Sequence, residues 1–243
     1  MLVNVAKGIK RAAAIDLDGI LLDGMPYHIA AWKKVFEPYR IKLDTHLLYY
    51  WEGIKGREVV DRICTIFDLE ITSAERDRIA VEKTRIYRSI FKPTPINGAL
   101  EFLQALARRN CRMAIVTGTL RSSAVETLAK LGMPGSVDFI VSADLDIPGK
   151  PDPAPFQAAA ARLNVSKDCC LAVDNAPAGI ESAQQAGLPC VAVATYLPRK
   201  DLKAADLVLG SVKELAEWVD KESELSDGEG KWQLAPMKAM NHV

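Results

Sequence analysis

Six short apolar runs, each about the length of one β-strand, most constrain how this chain can fold. They lie at 12–16, 111–118, 137–143, 169–175, 190–195 and 205–210, and each is apolar on both faces of an extended chain. Such runs are typical of parallel strands that helices cover on both sides. Helical spacing of apolar residues recurs between the later runs, at 97–110, 122–133, 152–165 and 177–188. The alternation predicts an α/β fold with a doubly wound, Rossmann-like parallel sheet.

One segment of the chain interrupts this alternation. Residues 25–92 carry helical patterns and no convincing strand, and Thr72 and Glu75 have the spacing of a helix capping box. We therefore expect a small α-helical cap domain at 25–92, inserted between two parts of one core domain at 1–24 and 93–221. The remaining residues, 222–243, are polar with little periodicity, which predicts a disordered tail.

Composition excludes several classes of protein. The 243 residues include 31 basic and 31 acidic side chains, so there is no net positive charge of the kind that nucleic-acid binding uses. No apolar stretch approaches the roughly 20 residues that span a bilayer, and the N-terminus lacks the apolar centre of a signal peptide. The five cysteines have no zinc-site spacing, which favours reduced, buried thiols. We expect a cytoplasmic monomer or small homo-oligomer that binds neither nucleic acid nor membranes.

Polar residues follow four of the apolar runs, where the strands of the predicted sheet would end. Ligands bind at this edge in open α/β sheets. Carboxylate and amide oxygens suit Mg²⁺, while a hydroxyl, an ammonium group and backbone N–H groups suit a phosphoryl group. A metal beside a phosphate site indicates phosphoryl transfer. The residues concerned are Asp16, Asp18, Thr117, Gly118, Lys150, Asp174 and Asn175.

Four segments in this order carry a family resemblance. "DLDGILLD", "VTGT", "GKPDPAPF" and "VDNAPAGIESAQQAG" resemble the four motifs of the haloacid dehalogenase-like (HAD) phosphotransferases, over roughly residues 12–220. The inserted helical segment resembles the cap of this family. Within it, "MPYHIAAWKKVF" and "EGIKGRE" resemble the branch that contains β-phosphoglucomutase and small sugar-phosphate or pyrophosphate phosphatases.

The resemblance implies a role for each motif residue. Asp16 would be the nucleophile that forms an aspartyl phosphate, kept ionised by Mg²⁺ and Lys150. Asp18 would be the general acid and base. Thr117 and backbone N–H groups at Gly118 would hold the phosphoryl oxygens, and Lys150 would neutralise charge. The implied Mg²⁺ ligands are Asp16, the backbone carbonyl of Asp18, Asp174 and Asn175.

The fourth motif departs from the family pattern at Asn175, where this branch often has a second carboxylate. An amide oxygen still suits Mg²⁺, but the site loses one negative charge. We therefore expect weaker Mg²⁺ binding than two carboxylates would give.

The cap residues have both a functional and a structural interpretation. His28, Glu52, Lys55, Arg57 and Lys83 lie in cap segments that match the branch, and the resemblance places them near the substrate. Lys55 or Arg57 would hold a second anionic group of the substrate. A hydrogen-bonded structural histidine and a solvated lysine are the alternatives for His28 and Lys83.

Three functions follow from this resemblance. The first is a Mg²⁺-dependent phosphatase that acts on a small phosphorylated metabolite, such as a sugar phosphate or pyrophosphate. The second is a β-phosphoglucomutase-like transferase, which would pass the phosphoryl group to a sugar hydroxyl; the "EGIKG" loop favours the phosphatase. The third is a non-catalytic binding module, against which the presence of both Asp16 and Asp18 argues. Phosphonate cleavage and dehalogenation fit less well, because no Schiff-base lysine is identifiable and dehalogenation needs no metal site.

Overall fold

A single parallel sheet forms the centre of the molecule. The computed structural model describes residues 11–133, 135–222, 230–232 and 234. The strands pair in the order β3-β2-β1-β4-β5-β6, and every pair is parallel. This confirms the predicted α/β, Rossmann-like fold class. The strands are β1 (Ala12–Ile15), β2 (Arg112–Val116), β3 (Phe139–Val141), β4 (Cys170–Asp174), β5 (Cys190–Val193) and β6 (Leu207–Leu209).

Helices cover both faces of the sheet and also form the inserted segment. The helices are α1 (Met25–Val35), α2 (Thr45–Tyr50), α3 (Gly56–Ile66), α4 (Ser73–Ile90), α5 (Ala99–Arg108), α6 (Arg121–Lys130), α7 (Ala154–Leu163), α8 (Pro177–Ala186) and α9 (Val212–Glu222). Three short 3-10 segments lie at Glu37–Tyr39, Lys167–Cys169 and Arg199–Asp201.

The two faces of the sheet carry side chains of different size. On one face Ala14 of β1 lies in register with Ala114 and Ala172, and α7 and α8 pack there. On the other face Ile15 lies in register with Ile115 and Val173, beneath α5, α6 and α9. Side chains alternate between faces along each strand, so this pattern buries β1 on both sides. A strand buried in this way holds the residue that follows it at a fixed place on the sheet edge.

Helices α1–α4 occupy the segment predicted as the cap. They share a hydrophobic cluster of their own around Trp32, Phe36 and Ile63. The predicted capping box is half formed: Thr72 Oγ1 accepts a hydrogen bond from the Glu75 backbone N–H at 3.2 Å. The Glu75 carboxylate accepts one from the Tyr39 hydroxyl at 2.9 Å, so it fastens the helix start to the 3-10 segment.

The prediction of a disordered tail is wrong at two residues, Glu222 and Trp232. Glu222 is the last residue of α9, and Trp232 is 6% exposed. The indole Nε1 of Trp232 donates to the backbone oxygens of Ala12 and Cys169, both at 3.1 Å, and its ring stacks on Trp218. One tryptophan in a polar segment produces no periodic pattern, yet it buries a large apolar area. The rest of the predicted tail, at 223–229, 233 and 235–243, lies outside the described residues.

Two further predictions concern the whole chain. All five cysteines are buried and none is in a disulfide, as expected for reduced thiols. In the described part of the chain, no helix has both the length and the apolar character needed to cross a membrane.

Candidate active site

The centre of the site is a buried lysine between two aspartates. Asp16 directly follows β1, and its backbone N–H donates to the Val173 oxygen of β4. Lys150 Nζ donates to Asp16 Oδ1 at 2.6 Å and to Asp174 Oδ2 at 2.7 Å. All three side chains are buried. The structure thus brings together three predicted site residues from distant parts of the sequence.

Burial sets the protonation of this group. Desolvation raises the pKa of Asp16, and the positive charge of Lys150 opposes this shift. Desolvation alone would lower the pKa of Lys150, but the two carboxylates outweigh it and the net shift is upward. The lysine is therefore held in its charged form, whereas ionisation of Asp16 depends on the positive charge near it.

Asp174 is oriented by the start of α8. Its Oδ1 accepts hydrogen bonds from the backbone N–H groups of Asn175 at 2.9 Å and Ala176 at 3.0 Å. A Cβ atom on Gly179 would come within 1.9 Å of the Asp174 carboxylate, so this helix position has to be glycine. The helix N-terminus stabilises the negative charge of the carboxylate.

Asp18 lies in a tight turn after β1, and one of its oxygens is left available. Its buried Oδ1 accepts no hydrogen bond among the described residues, and His28 Nε2 lies 3.6 Å from it. A Cβ atom on Gly24 would come within 1.9 Å of the same oxygen. The absence of a side chain at residue 24 therefore makes room for the carboxylate, a role that sequence reasoning missed. Asp23 accepts from the Tyr196 hydroxyl at 2.7 Å, which fits a structural role in shaping the turn.

The cap loop closes directly over the end of β2. Thr117 follows β2, and its Oγ1 accepts the Thr119 backbone N–H at 3.1 Å. A Cβ atom on Gly118 would lie 3.1 Å from the Gly53 oxygen, and a Cβ on Gly53 would lie 2.9 Å from Lys150 Cδ. Glycine at both positions lets the cap loop approach the sheet edge. Thr117, Gly118 and Lys150 thereby share one enclosed corner.

Two buried oxygens without partners, one of them in the predicted ligand set, suit a hard cation. Among the described residues Asn175 Oδ1 and Glu52 Oε1 have no hydrogen-bond partner, and such atoms are costly to bury unsatisfied. Glu52 comes from the cap, and its Oε2 accepts Asn175 Nδ2 at 2.7 Å. Burial and the charges of Asp16, Asp18 and Asp174 raise the pKa of Glu52 well above its usual range. A divalent cation would offset this accumulation of negative charge, so the residues present fit Mg²⁺.

The fit of this site to Mg²⁺ depends on amide and backbone oxygens as well as on acidic side chains. Within the described ranges no three His, Cys, Asp or Glu side chains form a ready-made metal cluster. The predicted ligand set relies instead on the Asn175 amide oxygen and the Asp18 backbone carbonyl alongside two carboxylates.

Lys55 and Arg57, predicted to bind a second anionic group, have partners within the protein. Lys55 Nζ donates to the Ile147 backbone oxygen at 2.7 Å, which fastens the cap to a core loop. The Arg57 guanidinium contacts Asp61, Asp77 at 2.8 Å and the Ser73 hydroxyl. These partners lie close in the cap and neutralise the arginine. That one of these cations holds a second anionic group of the substrate stays a prediction, in which the ligand would have to displace the present partners.

His28 and Lys83 form one pair beside Asp18. Lys83 Nζ lies 2.6 Å from His28 Nδ1, and the histidine ring stacks on Tyr87 at 4.0 Å. The ammonium group also lies 4.8 Å from the centre of the Trp32 ring. Burial lowers the pKa of Lys83 to about 8, against the opposing charge of Asp18. The pair places an ionisable cation at the boundary between the carboxylates and the cap.

A cavity of about 720 Å³ lies between the cap and the core. Asp16, Asp18, Thr117 and Gly118 line its inner end, and α3 and α4 of the cap contribute much of the remaining wall. The carboxylates are thus accessible to a ligand of metabolite size.

The fold and this site define a class of enzyme, the phosphoric ester hydrolases built on a parallel α/β sheet. The family model of the haloacid dehalogenase-like hydrolases matches residues 10–187, and the chain belongs to this family. It is 31% identical over 211 residues to a β-phosphoglucomutase of Bacillus subtilis, covering 84% of this chain and 91% of that protein. It is 27% identical over 179 residues to a phosphorylated carbohydrates phosphatase of Thermotoga maritima, covering 73% and 82%.

Solved structures agree with these sequence relatives. A structure titled putative β-phosphoglucomutase from Bacteroides vulgatus matches with a TM-score of 0.80 and 25% identity, over 90% of this chain and 91% of that one. The chain is therefore similar along most of its length both to mutases and to sugar-phosphate phosphatases.

Proposed function

We propose that the protein is a Mg²⁺-dependent phosphatase that hydrolyses a small phosphorylated metabolite of the sugar-phosphate kind through an aspartyl phosphate on Asp16. One observation carries this proposal: Lys150 lies between Asp16 and Asp174 at the end of β1, with hydrogen bonds of 2.6 and 2.7 Å. The named phosphatases among the relatives support the reaction class.

Two steps at Asp16 and Asp18 account for the reaction. In the first, an Asp16 carboxylate oxygen attacks phosphorus, the bond from phosphorus to the ester oxygen breaks, and Asp18 gives its proton to the departing alcohol. In the second, Asp18 takes a proton from water, the water oxygen attacks phosphorus, and phosphate leaves with Asp16 restored. Asp18 lines the cavity, and its Oδ1 has no hydrogen-bond partner among the described residues, which suits this proton transfer.

The surrounding residues hold the charge that the phosphoryl group brings. The Thr117 hydroxyl and the backbone N–H groups near Gly118 bind phosphoryl oxygens, and the Lys150 ammonium neutralises charge on Asp16 and the phosphate. Asp16, Asp174, the Asn175 amide oxygen and the Asp18 carbonyl would hold the Mg²⁺. When bound, the cation supplies further positive charge beside Asp16 and the phosphoryl group.

The second candidate is a phosphoglucomutase-like transfer to a sugar hydroxyl in place of water. The similarity to a named β-phosphoglucomutase favours it. The partners of Arg57 and Lys55 argue against it, since the second phosphate of a bisphosphate intermediate would have to displace them.

A phosphate-release assay tests the proposal. Purified protein with Mg²⁺ is incubated with a panel of sugar phosphates, other phosphate esters and pyrophosphate, beside the variant Asp16→Asn. We expect phosphate release that falls by a factor of about 10³ or more in the variant. Conversion of β-glucose 1-phosphate to glucose 6-phosphate without free phosphate would support the mutase. No release from any substrate, or unchanged release by Asp16→Asn, would contradict the proposed mechanism.

The proposal also covers the compartment in which the enzyme works. The absence of disulfides among the five buried cysteines supports a reducing compartment such as the cytoplasm. The oligomeric state, a monomer or a small homo-oligomer, stays a prediction.

A further inference from the structure

The residues that line the cavity differ between its inner end, at the carboxylates, and the wall further out. Its inner end is polar, with Asp16 and Asp18 at the sheet edge. The wall beyond them comes mostly from the cap and combines apolar side chains with the cations Arg57, Lys83, Arg85 and Arg88. It includes Met25, Trp32, Leu48, Ile54, Val59 and Leu120.

Apolar side chains also stand at the outer part of this cavity. Val81 on α4 is 70% exposed, and Leu120 at the start of α6 is 40% exposed, and both line the cavity. One comes from the cap and the other from the core. A ligand that reaches past the carboxylates would therefore remove apolar surface from water on two sides.

The polar groups in this outer part already have partners within the protein. Arg57 is neutralised by Asp61 and Asp77. The Thr84 hydroxyl donates to the Ala80 backbone oxygen at 3.0 Å. Arg88 Nη2 donates to the Ser123 hydroxyl at 3.2 Å. The sugar hydroxyls or a second phosphate of a ligand would have to replace these contacts, and polar groups buried without partners weaken binding.

Together these observations limit what the phosphate can be attached to. A cavity of about 720 Å³ has room for a ligand larger than pyrophosphate or a simple triose phosphate. The apolar side chains reward burial of apolar surface, whereas Arg57 and Arg85 already have carboxylate partners that a second anion would have to replace.

Building on the proposed function, we propose that the substrate is a phosphomonoester with one phosphate, whose sugar or sugar-alcohol part carries an apolar or aromatic group that fills the outer part of the cavity. The phosphate and the adjacent carbons lie at Asp16 and Asp18. The apolar group lies between α3, α4 and Leu120.

A matched pair of substrates tests this inference. D-ribitol 5-phosphate and riboflavin 5′-phosphate share the same phosphorylated chain, and only the second carries a planar ring. We expect kcat/KM to be at least about tenfold higher for riboflavin 5′-phosphate, because burial of the ring removes a large apolar area from water. Equal values, or faster hydrolysis of ribitol phosphate, would overturn the inference and leave the proposed phosphatase intact. If neither substrate releases phosphate, the result counts against both the inference and the proposed phosphatase. The two outcomes named before it bear on the inference alone.

A substitution at Gly56 tests where the planar ring of riboflavin 5′-phosphate binds. Gly56 lines the cavity at the start of α3, and a Cβ atom there meets no atom within 4 Å. We expect Gly56→Phe to lower kcat/KM for riboflavin 5′-phosphate about tenfold or more and to change that for ribitol phosphate little. Ile66→Phe, at the exposed far end of the same helix, is the control. An unchanged ratio of the two substrates in Gly56→Phe would overturn the placement of the ring.

Discussion

At the scale of single residues, the least expected feature is the cap carboxylate at the proposed metal site. Asn175 stands where the family branch often has a second acidic residue, and its amide nitrogen donates to Glu52 Oε2 at 2.7 Å. Burial raises the pKa of Glu52 well above its usual range, so Glu52 would bring a negative charge to this place when a bound cation keeps it ionised. The two residues are 123 positions apart, so this compensation becomes visible only in the folded chain.

Substitutions at Glu52 and at Asn175 are expected to change Mg²⁺ affinity in opposite directions. Glu52→Gln removes a negative charge and should weaken Mg²⁺ binding about tenfold, as is typical for residues that contact metal ligands. Asn175→Asp adds a carboxylate oxygen and should tighten it. Calorimetric titration with Mg²⁺ measures both, with the exposed Glu58→Gln of α3 as the control. Tighter binding by the natural protein than by Asn175→Asp would contradict the prediction.

Gly24 has an expected role in positioning Asp18. In Gly24→Ala the new methyl group would come within 1.9 Å of Asp18 Oδ1, so the carboxylate must turn away. We expect kcat to fall by about 10²-fold, the size of a general acid contribution, with Mg²⁺ affinity little changed. Steady-state kinetics and the same titration separate the two effects. Gly56→Ala, where the added atom meets nothing, should behave like the natural protein, and full activity of Gly24→Ala would refute the role.

At the scale of secondary-structure elements, α1 and α4 together present a cation to the site. Lys83 of α4 lies against His28 of α1, and Trp32 and Tyr87 surround the ammonium group. These rings exclude water, which is why burial lowers the pKa of Lys83 to about 8. The packing of two cap helices thus decides the charge that a phosphate would meet.

This arrangement predicts an alkaline limit to substrate binding. Because the pKa of Lys83 is lowered to about 8, the side chain is charged below that pH and loses its proton above it. If Lys83 binds the substrate phosphate, KM should rise as the pH passes about 8, and Lys83→Met should have a higher KM without that step. The exposed Lys130→Met of α6 should keep the natural profile. A pH dependence of KM that Lys83→Met leaves unchanged would assign the step to another group.

The elements of the sheet were predictable to different degrees from sequence. Runs buried on both faces identify all six strands, although the run at 137–143 contracts to Phe139–Val141. The motif residues that follow strands, such as Asp16 and Thr117, were predictable because parallel strands end at one sheet edge. The partners of Lys55 and Arg57 were not predictable, since a cation beside a glycine-rich loop has the same pattern whether it meets a ligand, a carbonyl or an aspartate.

At the scale of the whole molecule, the chain is fastened at the end of the sheet opposite the site. Trp232 bonds to the backbone of Ala12 at the start of β1, and Arg11 lies over its ring at 4.9 Å. Asp16 follows the other end of the same strand. The contacts of Trp232 and the proposed catalytic residue Asp16 therefore lie at opposite ends of β1.

Removing the indole ring should destabilise the protein without changing its chemistry. Trp232→Ala is expected to lower the free energy of unfolding by about 3 kcal/mol or more, through lost burial and two lost hydrogen bonds. Urea denaturation measures this loss, and kcat of the folded variant should stay near that of the natural protein. Val125→Ala, at an exposed site, is the control. A large loss of kcat with unchanged stability would indicate that the segment acts on the site.

The central claim is that Asp16 accepts the phosphoryl group, and trapping that group tests it most directly. The protein is mixed with Mg²⁺ and a hydrolysed phosphate ester, quenched in acid within one turnover, digested and analysed by mass spectrometry. We expect the peptide that contains Asp16 and Asp18 to gain one phosphoryl group on Asp16, and the Asp16→Asn variant to gain none. Phosphate release at the natural rate with that peptide never modified would contradict the mechanism.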